Sequence, residues 1–172
     1  MLYEDTLLDT EIYLETEHIN ANYKDYLLEK LKTQYEGTAS EQFGIVKSIN
    51  EIKMLEQKRI LDNSTYVIFH ATILAHRYKP KKKDLLHIPI TKITLYGIFI
   101  SDHQIRILIP QAYLNDDYMI ERQDAIFILR CCSSNKVFYE GDKIPVEIQD
   151  IKFEKNGFSC LALIKETFQE GL

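Results

Sequence analysis

The feature that most constrains this chain is the succession of short β-rich runs through its second half, punctuated by turn residues. Leu85–Thr94, Leu95–Ser101, Ile105–Ile109, Ala125–Cys131, Lys143–Phe153 and Phe158–Lys165 each favour an extended backbone. Asp102-His103, Ser133-Ser134-Asn135, Glu140-Gly141-Asp142 and Lys155-Asn156-Gly157 separate several of them. The Asn156-Gly157 pair predicts a tight hairpin, because both residues tolerate positive φ. Gln111–Gln123 is polar and predicts a short helix and a loop. Short strands at this spacing imply a small barrel or sandwich, and an OB-type barrel fits best.

The first half reads differently. Leu8, Ile12 and Leu14 alternate with Asp9, Glu11, Tyr13 and Glu15, which predicts a strand over Leu2–Leu14. Residues 1–17 hold six acids and no base, so its outer face is negative. A helix follows, with Tyr23, Leu27 and Leu31 four apart and Leu28 and Tyr35 widening the stripe. Asn20 or Asn22 suits the cap, and Gly37 stands just past the end, where a left-handed residue is wanted. Phe43–Ile52 and Tyr66–Leu74 predict strands. Between them Met54–Ser64 is polar and charged, ending in the turn signal Asp62-Asn63-Ser64.

Pro80, set among Lys79 and Lys81–Lys83, breaks the pattern and predicts a boundary between domains 1–79 and 80–172. Their net charges differ, −4 (13 acids, 9 bases) against −1 (13 acids, 12 bases). The expected fold class is α+β: a small N-terminal sheet with a helix, then an all-β barrel.

Composition narrows the function. With 21 basic and 26 acidic residues the net charge is −5, which disfavours a protein that lives by wrapping duplex DNA. No run approaches the roughly 18–20 apolar residues of a membrane helix. The acidic N-terminus has the wrong charge for a signal or transit peptide. Cys131, Cys132 and Cys160 are too few for a disulfide framework, so an intracellular compartment is expected, and the adjacent pair reads as one residue in and one out. The chain has no P-loop, GxGxxG, HExxH or GxSxG, and its five His lack metal-ligand spacing. A non-catalytic protein without cofactor or metal is the expectation.

Thr91-Lys92-Ile93-Thr94-Leu95-Tyr96-Gly97-Ile98-Phe99-Ile100 is the most informative segment. Gly97 lets the chain turn a barrel corner where a Cβ would clash. Alternation puts Phe99 on one face and leaves Tyr96 across the bend. Each ring either belongs to the core or stands exposed to stack on a nucleobase. Downstream, Glu140-Gly141-Asp142 leads into the alternating Lys143–Ile148. Together these pieces resemble the OB-fold barrel of the ribosomal-protein-S-one type, an RNA-binding module. The departures are Pro145, which cannot donate to a ladder, and Lys83, where that barrel usually has Gly.

The N-terminal half extends the likeness. Met1-Leu2-Tyr3, Asn22–Leu27, Tyr35-Glu36-Gly37-Thr38 with Phe43-Gly44, and Tyr78-Lys79-Pro80-Lys81 together resemble the large stalk subunit of multisubunit DNA-directed RNA polymerases, across essentially the whole chain. The resemblance implies an N-terminal tip domain docking on the large subunits near the clamp and on a small core subunit, a smaller stalk partner, and a barrel touching nascent single-stranded RNA. It places core contact at Tyr35, Gly37 and Phe43 and in a wedging loop around Met54–Ser64. That loop lacks the family's Gly and Pro and carries Glu56, Lys58, Arg59 and Asp62. Those departures, with 23 Ile and Lys outnumbering Arg 16 to 5, suit a diverged polymerase of the large-DNA-virus kind. Location would be the nucleus in a cell, or the virion or virus factory. Lys81, Lys82, Lys83, Lys92 and Arg106 would form a cationic edge beside Tyr96 and Phe99, unless the lysine run is only a solvated linker. The alternative is a free-standing single-stranded RNA-binding protein acting in translation or RNA decay.

Overall fold

The computed structural model describes residues 3–60 and 65–165 of the chain. It divides into two compact units between Lys79 and Pro80. No helix is long and apolar enough to cross a membrane among the described residues.

The first unit runs β1 (Glu4–Glu15), α1 (Tyr23–Tyr35), β2 (Thr38–Ser40), β3 (Gly44–Ile60) and β4 (Tyr66–Tyr78). The four strands form one antiparallel sheet in the order β1-β4-β3-β2. Leu27 and Leu31 of α1, four apart and fully buried, lie on the sheet face formed by Leu8, Ile12, Leu14, Val67, Phe69, Ile73 and Ile49. Tyr23 stacks on Phe69 with ring centroids 5.8 Å apart. The expected side-chain cap is absent: Asn22 makes no capping bond, and Asn20 Oδ1 instead accepts the Asn22 N–H at 2.9 Å, an Asx turn. Gly37 ends the helix at φ +71°, and its N–H donates to the Val46 carbonyl.

The structure corrects the reading of Met54–Ser64 as a loop. β3 continues to Ile60, paired with β4 throughout. The continuation carries no apolar alternation, because Glu56, Gln57 and Lys58 follow one another and are all exposed; upstream, the register shifts between Val46 and Ser48, Ile49 and Glu51, and Ile52 and Met54. Each bulge inserts one residue, so the core-facing Val46, Ile49, Ile52 and Leu55 recur every third position instead of every second.

The second unit contains β5 (Leu85–Pro89), β6 (Lys92–Thr94), β7 (Gly97–Asp102), β8 (Ile105–Pro110), β9 (Tyr118–Gln123), β10 (Ile126–Cys131), β11 (Val137–Phe138), β12 (Lys143–Glu154) and β13 (Gly157–Ile164). Six of these strands form a sheet in the order β5-β12-β13-β8-β7-β6. Its two outermost strands, β5 and β6, are separated only by Ile90 and Thr91, so one stretch of chain joins both edges and the sheet curls on itself. Among the described residues the single parallel pairing is β8 with β13. Its interior is isoleucine-rich: Ile88, Ile93, Ile98, Ile100, Ile105, Ile107, Ile109, Ile144 and Ile148 are all buried. β-Branched side chains suit a strand backbone, so the Ile bias has a structural use here.

Gly97 is a true corner. At φ +148°, an added Cβ would stand 2.2 Å from the Ile109 carbonyl oxygen. The tight hairpin after β12 is shifted by one residue from expectation. Lys155 and Asn156 carry the positive φ values, 45° and 63°, and Glu154 pairs with Gly157. Gly157 serves close approach instead, because a Cβ there would meet the Gln104 carbonyl oxygen at 2.8 Å. Gln111–Gln123 also differs: a single 3-10 turn, Gln111–Tyr113, precedes β9, which pairs with β10 at one edge of a separate three-stranded sheet ordered β11-β10-β9. Strand β9 runs Tyr-Met-Ile-Glu-Arg-Gln with no buried residue, apolar at one end and polar at the other, so it shows no apolar–polar alternation. Cys131 is buried and Cys132 exposed, as alternation predicts.

Lys83 sits at φ +70°, its N–H donating to the Ile148 carbonyl at 2.7 Å. A left-handed backbone strains any residue with a Cβ. Lys83→Gly is therefore expected to raise the stability of this unit by about 0.5 kcal/mol, the relief of strain outweighing the entropy that glycine adds to the unfolded chain. A denaturant titration checks it, and a loss of stability would contradict the strain.

Candidate nucleic-acid interface

Alternation and register build a site on the outside of the curled sheet. Along β7, Ile98 and Ile100 point inward while Phe99 and Ser101 point out; along β8, Ile105, Ile107 and Ile109 point inward while Arg106 and Leu108 point out. Cross-strand pairing then aligns two rows. Lys92, Phe99, Leu108, Leu161 and Asp150 stand opposite one another in sequence across β6, β7, β8, β13 and β12. Ser101, Arg106, Ser159 and Lys152 form the neighbouring row. Between them lies a groove of about 440 Å³ with an apolar floor.

β12 reaches this face through a bulge. Ile144, Val146 and Ile148 alternate into the interior, and strict continuation would bury Asp150 and Lys152. A register shift between Ile148 and Asp150 inverts the phase, leaving both charged residues exposed on the groove. Asp150 pairs with Lys82 at 3.0 Å. The Lys82 ammonium, then the Ile151 N–H, hold its carboxyl below the usual range. The Asp150 charge therefore persists at neutral pH and is lost only as the medium is acidified through that lowered value. Lys152 pairs with Glu154 at 2.5 Å. Arg106 and Lys92 form no ion pair or hydrogen bond among the described residues, although Glu154 senses the Arg106 charge. Inside, burial pushes the Cys160 thiol up to about 12, so it stays protonated and inert.

Of the residues singled out from sequence, Phe99 and Arg106 line the groove, Lys92 stands beside Phe99, and Lys82 reaches the far end through Asp150. Tyr96 is 82% exposed in the β6–β7 turn, and Phe99 is 39% exposed. Lys81 and Lys83 lie on the segment before β5, outside the groove lining. Leu108, Leu161, Asp150 and Lys152 were missed. The parallel β8–β13 pairing that gathers them joins segments about fifty residues apart, which local pattern does not reveal.

The residues proposed for docking fall in two places. Tyr35 and Phe43 pack edge to face at 5.3 Å beside Gly37, and the Tyr35 hydroxyl bonds Thr10 Oγ1 at 2.8 Å. Phe43 is only 6% exposed and fills the unit's own core. Glu56 and Lys58 sit far along β3, where Lys58 pairs with Glu11 of β1 at 2.7 Å. Asp62 and the Arg59 side chain lie outside the described residues. The sheet face opposite α1 carries the acids of β1, several of them met across strands: Asp5 by His76 at 2.8 Å, and Asp9 by Thr72 at 2.6 Å.

Comparison with known proteins adds the remaining finding. No family model matches the chain. It is 20% identical over 161 residues to DNA-directed RNA polymerase II subunit rpb7 of Dictyostelium discoideum, covering 94% of each chain. To the RPB7 subunit of Glycine max it is 22% identical over 162 residues, and to RNA polymerase II subunit 7 of Arabidopsis thaliana 23% over 162. Each of those alignments covers 94% of this chain and 92% of the relative. Over nearly its whole length, then, the chain is distantly similar to seventh subunits of RNA polymerase II.

Proposed function

We propose that the chain is a stalk subunit of a DNA-directed RNA polymerase, itself non-catalytic, with the phosphodiester chemistry left to the large subunits. The observation that carries this reading is the end-to-end similarity to polymerase II seventh subunits, which spans both units in order. The strand order of the curled sheet supports an OB-type assignment for the second unit. Counting β5 and β6 as one strand, five strands follow a meander and then return through a parallel pairing.

In this reading the first unit docks on the polymerase near the clamp and on a small core subunit, and a smaller stalk partner completes the assembly. The acids along β1 suit a basic protein surface. The groove of the second unit meets nascent single-stranded RNA: Phe99 supplies a stacking face, and Arg106, Lys92, Lys82 and Lys152 supply charge to phosphates. Tyr96 adds a second ring at the turn. RNA contact there assists initiation and RNA exit. The compartment is the nucleus for a cellular polymerase, or the virion and virus factory for a viral one.

Two measurements test the two halves. In a competition for the polymerase core, Lys58→Glu replaces the ion pair with Glu11 by two facing carboxylates, whose repulsion disturbs the surface that β3 presents, so recovery of complex is expected to fall severalfold. Equal recovery would count against β3 as a contact. In a filter-binding titration with single-stranded RNA, Phe99→Ala is expected to weaken binding about tenfold, since stacking one base on an aromatic ring contributes roughly 1–3 kcal/mol. Tight binding by the isolated chain without any polymerase association would favour a free-standing RNA-binding protein instead.

A further inference from the structure

We propose that the groove reads a guanine base, with Asp150 as the residue that sets specificity. This rests on the RNA reading above and adds to it a choice among bases.

The argument begins with an inventory of the groove's polar side chains. Arg106 and Lys152 only donate, and Ser101 and Ser159 do either. Asp150 is the sole side chain there that only accepts. The floor, Phe99, Leu108 and Leu161, meets the flat face of any base and does not discriminate. Discrimination therefore falls to the carboxylate.

Its position suits that task. Asp150 stands directly opposite Leu161 across β12 and β13, so a base lying on Leu161 and Leu108 presents its edge to it. The cations occupy the adjacent row, with Arg106 opposite Ser159 and Ser159 opposite Lys152. Base and flanking phosphates thus have separate tracks.

The carboxylate also has room. Two oxygens accept about four hydrogen bonds. The Lys82 ammonium and the Ile151 N–H take two, which leaves two sites free. Guanine offers two donors side by side, N1–H and the 2-amino group, which match a carboxylate in bidentate fashion. Adenine and cytosine place one amino donor beside a ring nitrogen that accepts, and its lone pair faces the second carboxylate oxygen. Uracil sets one N–H between two carbonyls, which a carboxylate repels. Lys82, exposed and already at the groove, is free to exchange toward a phosphate as the base arrives.

Fluorescence anisotropy with the full chain tests this, using hexauridylate and hexamers carrying one guanosine, inosine, cytidine or adenosine in a uridine background. The guanosine hexamer is expected to bind at least about fivefold tighter than hexauridylate, with cytidine and adenosine within about twofold of it. Inosine, which lacks the 2-amino group, falls between. Asp150→Asn keeps the shape, removes the charge and is exposed, so a thermal melt confirms folding while the guanosine preference drops below about twofold. A wild-type preference below twofold, or one that survives Asp150→Asn, overturns the assignment of guanine while leaving RNA binding intact. Failure of every hexamer to bind overturns both this inference and the RNA reading beneath it.

Discussion

Gly97→Ala is expected to lower the melting temperature of the second unit by roughly 10–20 °C, the largest single-residue effect in that unit. The backbone at φ +148° lies in a region that residues with a Cβ avoid, which costs on the order of 1–3 kcal/mol. The new methyl would also stand 2.2 Å from the Ile109 carbonyl oxygen, far inside contact distance. That oxygen belongs to β8, which pairs with β7 as far as Pro110 and with β13 as far as Leu108, so the strand that carries it has no cheap way to retreat. Together the two terms amount to about 3 kcal/mol. Gly141→Ala is the control. Its φ of +95° is also positive, but nothing lies within 4 Å of the added Cβ, so only the backbone term remains. Calorimetry of both variants separates strain from clash, and equal losses would show that the close approach at Gly97 is not what fixes it.

Leu31→Ala is the counterpart in the first unit. Leu31 is fully buried between α1 and the sheet, within one cluster that includes Leu27, Leu8 and Phe43. Removing its isobutyl group forfeits transfer energy and leaves a cavity, at a cost of about 3 kcal/mol. A single helix covers one face of a four-stranded sheet, so few other contacts compensate. The expected result is a first unit that melts well below the wild type, with a polymerase-capture yield that falls alongside it. Guanidinium unfolding followed by Tyr fluorescence, with capture on the same preparation, checks both. Loss of stability with full capture would mean that the first unit is not the part that docks.

Legibility in the sequence followed the regularity of the backbone. The helix is plain because Leu27 and Leu31 keep helical spacing, and β1 because Leu8, Ile12 and Leu14 keep strand spacing. The far half of β3 is not, since Glu56, Gln57 and Lys58 are consecutive exposed polar residues and a bulge between Gln57 and Arg59 interrupts what alternation remains. The site divides the same way. Gly97 and the strand alternation that puts Phe99 on one face come from local pattern, and the structure adds that Phe99 and Tyr96 are both exposed. Leu108, Leu161, Asp150 and Lys152 do not, because a parallel pairing and a bulge, both non-local, decide which side chains share the groove. The hairpin at Lys155-Asn156 shows a subtler limit. An Asn-Gly pair marks a turn, but close packing of Gly157 against Gln104 moves that turn one residue upstream.

The most direct test of the account is to fractionate a native extract by size and follow this chain by antibody. A stalk subunit co-elutes with the two largest polymerase subunits and with RNA-synthesising activity, far above the 20.2 kDa of the chain alone. Elution wholly at its own size, with none in the polymerase fractions, would contradict the assignment.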